Sequence, residues 1–419
     1  MPIVFNEMTK TIWIPDGYLE LTPGKVERYE ARWREIKEKY SSVHLHLHLN
    51  VGILGEMLYR WFAMCEEPRE EGALYVQVPA ETPRRNDRAM ANIFANEYVG
   101  ICGEDDREFW TYVLKSYQGD LVGDVARFAS RNGFPAYFKK AYSIEHHFTD
   151  EQVERGEAAL KAMGVTGPFV CLAARSRYYN MRKGEMSEYC FRHRNMEFED
   201  YAKTIAWLGG QGIQCVKMGR GEDPMDPIPN CIDYAAYHAS DFMDLYVFSR
   251  CEFAVTCLSG ITTLANLFAK PLLMVNTTEF SFGLGAARYT EHDRFLPKRY
   301  YIRDIDRRRV KRPLTLREIF ETEKTCDHMD AHLIERSIEW SDDTEDEILD
   351  AVKEMVSRID GTWTDTEEDE ELLDRWWALH DEMEAFQGAN EYNWIGGPVP
   401  FPPATTFLRK HPYVLGMDR

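Results

Sequence analysis

The sequence lacks the features that define several classes of protein. No apolar run approaches the roughly 18 residues of a membrane-spanning helix, and the N-terminus has neither the basic start nor the long apolar run of a signal peptide. The nine cysteines form no C-x-x-C pair and share no spacing with clustered histidines. We therefore expect reduced, mostly buried thiols, no metal site, no bound cofactor and a cytoplasmic location.

Positive charge is also scarce. The 50 lysines and arginines face 70 acidic residues, for a formal net charge of −20 and a pI near 5.1, which argues against nucleic acid as a partner. An anionic small ligand would need a local group of cations. The basic run 294–312 is the exception: it could contact the inner face of a membrane or a lipid diphosphate, but we favour pairing with the acidic segments 342–350 and 365–374.

The length and the pattern of apolar residues predict two α/β domains. A chain of 419 residues that is 44% hydrophobic is too long for one ordinary core. Strand-like runs alternate with helical patterns without a fixed repeat, which predicts doubly wound parallel sheets. Capping boxes at Thr149–Gln152 and Thr344–Glu347 mark two helix starts. We divide the chain into a leader (1–40), an N-terminal Rossmann-like domain (41–160), a second Rossmann-like domain (161–340), and C-terminal helices with a tail that docks back on the body (341–419).

In the N-terminal domain, the alternating strand 43–49 runs into a glycine loop and then a helix. Glu56 opens that helix and is our candidate general base for an acceptor hydroxyl. The alternative is a carboxylate that only complements the helix dipole, a position that lowers its pKa. His48, near the end of the strand, is the next candidate for the base. The loop contributes three candidate acceptor or loop residues: Asn50, Gly52 and Gly55.

In the second domain, glycine loops follow two predicted strands. The run 213–218 leads into Gly219-Arg220-Gly221, and the run 252–257 leads into Ser259-Gly260 before a helical stretch. Loops at the carboxyl edge of a parallel sheet present backbone N–H groups and a helix start to phosphate. The pattern thus predicts a diphosphate site, although Ser259 could be only a helix N-cap. The candidate donor-binding residues are Lys217, Gly219, Arg220, Asp233, Tyr234, Ser259, Gly260, Thr262 and Thr263.

Arg175 directly follows the apolar run 169–174. A cation at the carboxyl edge of that strand can neutralise a departing diphosphate, whereas the alternative is an ordinary salt bridge. For Asp233 we weigh a bond from a sugar hydroxyl against a turn, and for Tyr234 stacking on a base. The long polar loop after Arg175 adds two weaker candidates, Tyr178 and Asn195.

These segments together resemble a family of bacterial glycosyltransferases of surface-polysaccharide gene clusters, distantly similar to heptosyltransferases and fucosyltransferases. The resemblance covers about residues 165–360, with a weaker likeness at Gly52 and at 405–415. The resembling segments are 170–175, 194–195, 216–219, 232–235, 240–246, 259–260, 271–276 and 314–319. One departure is the Leu-Ala-Ala before Arg175, where a histidine often precedes the family's arginine.

The resemblance implies a GT-B architecture, in which two Rossmann-like domains face a cleft. It assigns the nucleotide sugar mainly to the second domain, the acceptor to the first, and usually no metal. It matches Arg175 to a recurrent arginine and the Ser259-Gly260 loop to a diphosphate loop.

We therefore expect an inverting, metal-independent glycosyltransferase that acts on a carbohydrate or lipid-linked acceptor of the cell envelope. Glu56 or a cleft histidine would deprotonate the acceptor, while Arg175, Lys217 and the Ser259 loop stabilise the leaving diphosphate. Three alternatives stay open: a nucleotide-sugar 2-epimerase of the same fold, a pyruvyl or glycerol-phosphate transferase, and a non-catalytic nucleotide-binding scaffold.

Overall fold

A computed structural model describes the chain in segments: residues 4–6, 11–13, 21–48, 70–79, 99–100, 104–121, 148–175, 192–220, 224–278, 290–303, 311–323, 330–387, 399 and 401–417. The chain divides into two compact units. The first comprises Met1–Tyr137 and Tyr142–Phe148, and the second comprises Phe138–Ala141 and Thr149–Arg419.

The first unit contains a parallel sheet of three strands in the order β3-β4-β5 and a separate antiparallel pair, β1 with β2. The helix that we assigned to a leader packs into this unit, where Tyr29 and Trp33 join Val76, Phe109 and Trp110 in one buried cluster. The elements are β1 (Val4–Asn6), β2 (Thr11–Trp13), α1 (Pro23–Lys39), β3 (Val43–His48), β4 (Leu74–Pro79), β5 (Val99–Gly100), α2 (Glu104–Ser116) and a 3₁₀ turn at Gln118–Asp120.

The second unit is built on a sheet of six strands, and every neighbouring pair in it is parallel. Its order is β11-β10-β9-β6-β7-β8. The strands are β6 (Phe169–Ala173), β7 (Gln214–Lys217), β8 (Cys231–Asp233), β9 (Ala254–Thr256), β10 (Leu272–Thr277) and β11 (Arg294–Pro297). The residues of β6 and β10 are buried throughout, as parallel strands covered on both faces require. The predicted α/β class is confirmed.

Two groups of helices pack on this sheet. One group is α3, α6 and α7, and the other is α4 with α10. Because parallel crossovers are right-handed, connections that run along the sheet in opposite directions cover opposite faces. The helices are α3 (Asp150–Ala162), α4 (Ala202–Gly210), α5 (Tyr234–Tyr237), α6 (Asp241–Arg250), α7 (Thr262–Leu267), and, after residue 310, α8 (Leu316–Glu323), α9 (Asp330–Glu335), α10 (Glu345–Ile359), α11 (Glu367–Gln387) and α12 (Thr405–Lys410).

Three antiparallel strands form a second, smaller sheet in the order β13-β12-β14. They are β12 (Arg299–Arg303), β13 (Lys311–Pro313) and β14 (Ile338–Ser341), and 3₁₀ turns lie at Arg192–Arg194, Phe198–Tyr201 and Pro412–Leu415. Both predicted capping boxes are confirmed, since the Thr149 and Thr344 hydroxyls accept from the N–H groups of Gln152 and Glu347.

The C-terminal tail is held by a buried carboxylate. Glu354 in α10 is fully buried and accepts hydrogen bonds from the N–H groups of Thr405, at 3.1 Å, and Thr406, at 2.9 Å. Lys410 and His411 extend the contact, at 2.6 Å from Asp350 and 2.5 Å from Glu347. The start of α12 therefore takes its charge complement from another helix, 51 residues away in the chain.

Each ion pair described for the basic run 294–312 has its acidic partner in the second unit. The pairs are Arg294 with Glu354, Lys298 with Asp342, Arg299 with Glu347, Arg303 with Glu339 and Arg312 with Glu318. Lys298 and Arg294 are buried. Of these partners, Asp342 and Glu347 lie in the acidic segment 342–350 that we favoured, whereas Glu354, Glu339 and Glu318 lie outside both predicted segments. In the described part of the chain, no helix has the length and apolar character needed to cross a membrane.

Gly156 gives a test of how α3 packs on α6. A Cβ atom at this position would lie 2.3 Å from Cε1 of the buried ring of Tyr246. In Gly156→Ala, overpacking should therefore lower the free energy of unfolding by about 1–3 kcal/mol. The better helix propensity of alanine should offset roughly 1 kcal/mol of this loss. Urea unfolding would measure the change.

The matched control is Gly210→Ala in α4, where an added Cβ meets nothing within 4 Å. This variant should be as stable as the parent or more so. Equal stability of the two alanine variants would contradict the packing described for Gly156.

Candidate functional site

The order of the six strands reverses at β6. The chain continues from β6 to β7 and β8 on one side, then returns to place β9, β10 and β11 on the other. At such a switch point, the loops after the two central strands leave in opposite directions and open a crevice at the carboxyl edge. In register, Ala173 of β6 pairs with Thr256 of β9. The residues that follow these two strands, Arg175 and Ser259, thus lie at the same edge, as the sequence predicted.

Arg175 is held at this edge by its backbone. Its N–H donates to Cys257 Sγ at 2.9 Å, and its carbonyl accepts from the N–H of Met196 at 3.2 Å. The N–H of Cys257 in turn donates to the carbonyl of Ala173 at 3.2 Å. These bonds tie together the end of β6, the start of the loop after β9 and the segment around residue 195.

Three cations gather around Cys257. Burial raises the pKa of its thiol, and the hydrogen bond from Arg175 and the charges of Arg175, Lys298 and Arg194 oppose that rise. Arg194 Nη2 donates to the carbonyl of Leu258 at 3.4 Å. Lys298 Nζ donates to the carbonyl of Asn195 at 3.0 Å and pairs with Asp342 at 2.6 Å. Arg175 and Arg194, with Lys298 paired to Asp342, thus bring cationic side chains to this edge in a protein that is acidic overall.

The sequence analysis selected Arg175 and Asn195 but did not select Arg194 or Lys298 as site residues. Lys298 directly follows the last strand of the sheet, and Arg194 is 19 residues from Arg175. The position of Lys298 just after a strand could have identified it as a site residue, but only once the order of the strands in the sheet is known.

The two threonines predicted to bind phosphate instead shape the loop from inside. The Thr262 hydroxyl donates to the carbonyl of Cys257 at 3.0 Å, and the Thr263 hydroxyl donates to that of Gly260 at 2.7 Å. Both threonines are fully buried. Helix α7 has only six residues, and its N-cap is Ile261, without a side-chain cap. Ser259 is therefore not the cap, and it and Gly260 remain the partly exposed residues of the loop.

At the neighbouring strand ends, Lys217 and Asp233 face each other in register. Lys217 Nζ lies 3.9 Å from Asp233 Oδ1 and 5.3 Å from the ring centroid of Phe198. The Asp233 carboxylate accepts from the N–H groups of Ala236, at 3.2 Å, and Met225, at 3.0 Å. Asp233 therefore caps α5, which is the turn role that we weighed against a bond from a sugar hydroxyl.

Arg220 and Tyr234 belong to a network around Asp244. Arg220 pairs with Asp241 at 2.6 Å and with Asp244 at 2.8 Å. Tyr234 is fully buried, and its hydroxyl donates to Asp244 at 2.7 Å. A ring enclosed in this way does not stack on a base, so we correct Tyr234 to a core residue. The Arg220 side chain is ion-paired but 29% exposed, and its role in donor binding stays a prediction. Gly219 precedes Arg220 with φ of +152°, a conformation that favours glycine.

The remaining candidates fall outside the described residues. These are Asn50, Gly52, Gly55, Glu56 and Tyr178. His48 ends β3, but its side chain is not among those described. Their roles stay predictions of the sequence.

Asn276 and Asp343 join a further strand end to this edge. Asn276 in β10 has φ of +51° and donates its N–H to Asp343 Oδ2 at 2.6 Å. The N–H of Asp343 returns a bond to Asn276 Oδ1 at 2.8 Å. Burial raises the pKa of Asp343 to about 7, and the bond from Asn276 opposes that rise. The sequence analysis did not find this pair, because the residues are 67 positions apart.

Strand order and edge residues together define a doubly wound α/β unit with cations at its switch point. No protein-family model matches the chain, and no curated protein matches it. Solved structures similar to it include the ADP-heptose LPS heptosyltransferase II of E. coli, with 11% identity, 62% of this chain and 90% of that chain covered, and a TM-score of 0.40. A family 9 glycosyl transferase from Veillonella parvula shows 9% identity, coverage of 76% and 98%, and a TM-score of 0.46. With TM-scores below 0.5, neither likeness carries an argument.

Asp343 predicts a pH dependence of stability. Its folded pKa of about 7 lies above its ordinary value of 3.8, so the folded state favours the protonated acid. The stabilisation is complete below about pH 4 and is lost as pH rises through 7. Asp343→Asn mimics the protonated form and should remove this loss, on the order of a few kcal/mol. Urea unfolding at intervals from pH 4 to 8 measures it.

The control is Asp346→Asn, at an exposed position two residues after Thr344. The pKa of Asp346 is lowered by its bond from Lys203, so this variant should not improve stability at high pH. A constant difference between wild type and Asp343→Asn from pH 4 to 8 would contradict the assignment.

Proposed function

We propose that this protein is a GT-B glycosyltransferase whose second unit binds the diphosphate of a nucleotide sugar at the carboxyl edge of its six-stranded sheet. One observation carries the proposal: Arg175, Arg194 and Lys298 are all anchored at the switch point of a parallel sheet, through bonds to Cys257, to the carbonyl of Leu258 and to the carbonyl of Asn195. In a chain with a formal net charge of −20, such a group is not explained by the general composition. It matches the local cation group that an anionic ligand requires.

The charge balance favours an anion larger than a single carboxylate. Lys298 already pairs with Asp342, so part of its charge is compensated. Arg175 and Arg194 are partly buried, and guanidinium groups suit the paired oxygens of phosphates. Beside them lies the partly exposed Ser259-Gly260 loop, whose backbone a phosphate group can approach closely. A diphosphate spans this set better than one small anion.

The chemistry that we propose is displacement at the anomeric carbon. The acceptor oxygen forms a bond to that carbon while the bond to the diphosphate oxygen breaks, which inverts the configuration. Negative charge builds on the leaving diphosphate, where fixed cations stabilise it more in the transition state than in the ground state. The acceptor proton goes to a general base, for which Glu56 is our first candidate and His48 the next. The cations supply the charge stabilisation that a divalent metal gives in other transferases, so the reaction should proceed in EDTA.

The direct test uses purified full-length protein and a panel of ADP, UDP, GDP and CDP, by calorimetry in EDTA. The matching nucleotide sugars, each incubated with the protein alone and with candidate acceptors, are then followed by mass spectrometry. Transfer to an acceptor supports the proposal. An isomerised sugar without acceptor would replace it with an epimerase, and binding of none of the four diphosphates would overturn it.

Arg175→Ala should lower kcat/KM for the donor found in that screen by about 10² to 10³, the usual effect of removing one preorganised stabilising group. The matched control is Arg250→Ala. Arg250 is ion-paired with Glu157. It ends α6 before β9 begins and so lies toward the opposite edge of the sheet. A loss below threefold for Arg175→Ala, or equal losses for the two variants, would remove Arg175 from the site.

Glu56→Gln keeps the size of the side chain while removing the base. It should lower kcat by about 10² to 10⁴ and leave nucleotide affinity unchanged. Single-turnover rates and calorimetry separate the two effects. Normal turnover would transfer the role of base to His48, and a parallel fall in affinity would show that Glu56 supports binding.

A further inference from the structure

A buried carboxylate holds the segment that leads into Arg194. Asp330, the first residue of α9, accepts from the backbone N–H groups of Arg192, at 2.9 Å, and His193, at 3.0 Å. It also contacts both side chains, Arg192 Nε at 3.0 Å and His193 Nδ1 at 2.7 Å. The relative exposure of Asp330 is 1% and that of His193 is zero. All four contacts come from the two residues that precede Arg194.

The charge state of Asp330 agrees with these contacts. Burial by itself would raise the pKa of this carboxyl, but the bonds from His193 and Arg192 outweigh it, and the pKa lies below its ordinary value. The carboxylate is thus ionised at neutral pH. Hydrogen bonds to an ionised acceptor are about twice as strong as neutral ones, so this anchor is firm.

The other end of the segment is anchored at the sheet edge. The N–H of Met196 donates to the carbonyl of Arg175, and Lys298 donates to that of Asn195. Arg194 lies between the two anchors, with its guanidinium on the carbonyl of Leu258. Asp330 is 138 residues from Arg192 in the chain, so a distant element adds to the local bond from the N–H of Asn195 to the carbonyl of Arg192, at 2.9 Å, in fixing the segment.

A long arginine side chain loses rotamer freedom when it is fixed, which costs free energy. A ligand bears less of that cost when the backbone that carries the arginine is already in place. We propose that Asp330 is a positioning residue for diphosphate binding, which acts by fixing residues 192–195 so that Arg194 meets the phosphate groups. This inference rests on the function proposed above for the same edge.

Asp330→Asn keeps the shape of the side chain but removes the charge. It should weaken binding of the tightest of ADP, UDP, GDP and CDP about tenfold, in line with the loss of charge-assisted anchoring. The control is Asp293→Asn. Asp293 is equally buried and accepts from the N–H groups of Leu272, at 2.9 Å, and Thr290, at 3.1 Å, beside the amino ends of β10 and β11. Whatever this control does to Tm, its diphosphate affinity should stay within about twofold of wild type.

A double-mutant cycle with Arg194→Gln tests the route of the effect. If Asp330 acts through Arg194, Asp330→Asn should cause little further loss of affinity in the Arg194→Gln background, so that the two losses do not add. A merely structural role for Asp330 predicts the same loss in both backgrounds, and that result would overturn the inference. Should Asp330→Asn not fold, Asp330→Glu takes its place in the cycle, since it keeps the charge and displaces the carboxylate by one methylene.

The outcomes separate this inference from the function on which it rests. Wild type that binds none of the four diphosphates overturns both. Wild type that binds, with Asp330→Asn equal to Asp293→Asn, overturns the positioning role alone. Loss of affinity confined to Asp330→Asn and absent in the Arg194→Gln background supports it.

Discussion

The reversal of strand order at β6 is the constraint on which the rest of the second unit depends. Because β9 pairs with β6 on the side away from β7, the connections on the two sides cover opposite faces of the sheet. The two loops begin side by side at the carboxyl edge and then diverge. Their first residues are more than 80 positions apart in the chain, and the bond from the Arg175 N–H to Cys257 Sγ joins them directly.

Buried carboxylates from the C-terminal half fix this arrangement. Asp330 binds the backbone of Arg192 and His193, Asp343 binds that of Asn276, and Glu354 binds that of Thr405 and Thr406. In each case a carboxylate satisfies N–H groups of a remote segment that would otherwise be buried without a partner. Part of the acidic excess of the chain therefore serves to hold loops and helix starts. Asp343 and Asp330 differ in charge state, since the pKa of Asp343 is raised and that of Asp330 is lowered.

The fold uses the basic run 294–312 and the cations of the carboxyl edge in different ways. The basic residues around Arg299 pair with acidic residues of several elements. Lys298 in addition donates to the carbonyl of Asn195. Arg175 and Arg194 bound a stretch that is itself basic, since residues 175–195 contain six lysines and arginines and two acidic residues. Both basic stretches are visible in the sequence, but the fold decides which of their cations lie at the carboxyl edge, because it separates neighbours in sequence and joins residues from distant strands.

The sequence by itself determined the class of the fold and the strand ends of the second unit. Apolar periodicity, glycine loops and capping boxes are local signals, and they located β6, β7, β9 and β10 and the starts of α3 and α10 within a few residues. They also placed Arg175 and Ser259 at a carboxyl edge. Only the tertiary structure decided which groups share that edge and which are used internally. Thr262 and Tyr234 looked accessible as sequence, but their partners are buried atoms of other elements, and burial depends on strand order and long-range packing, which no local pattern contains.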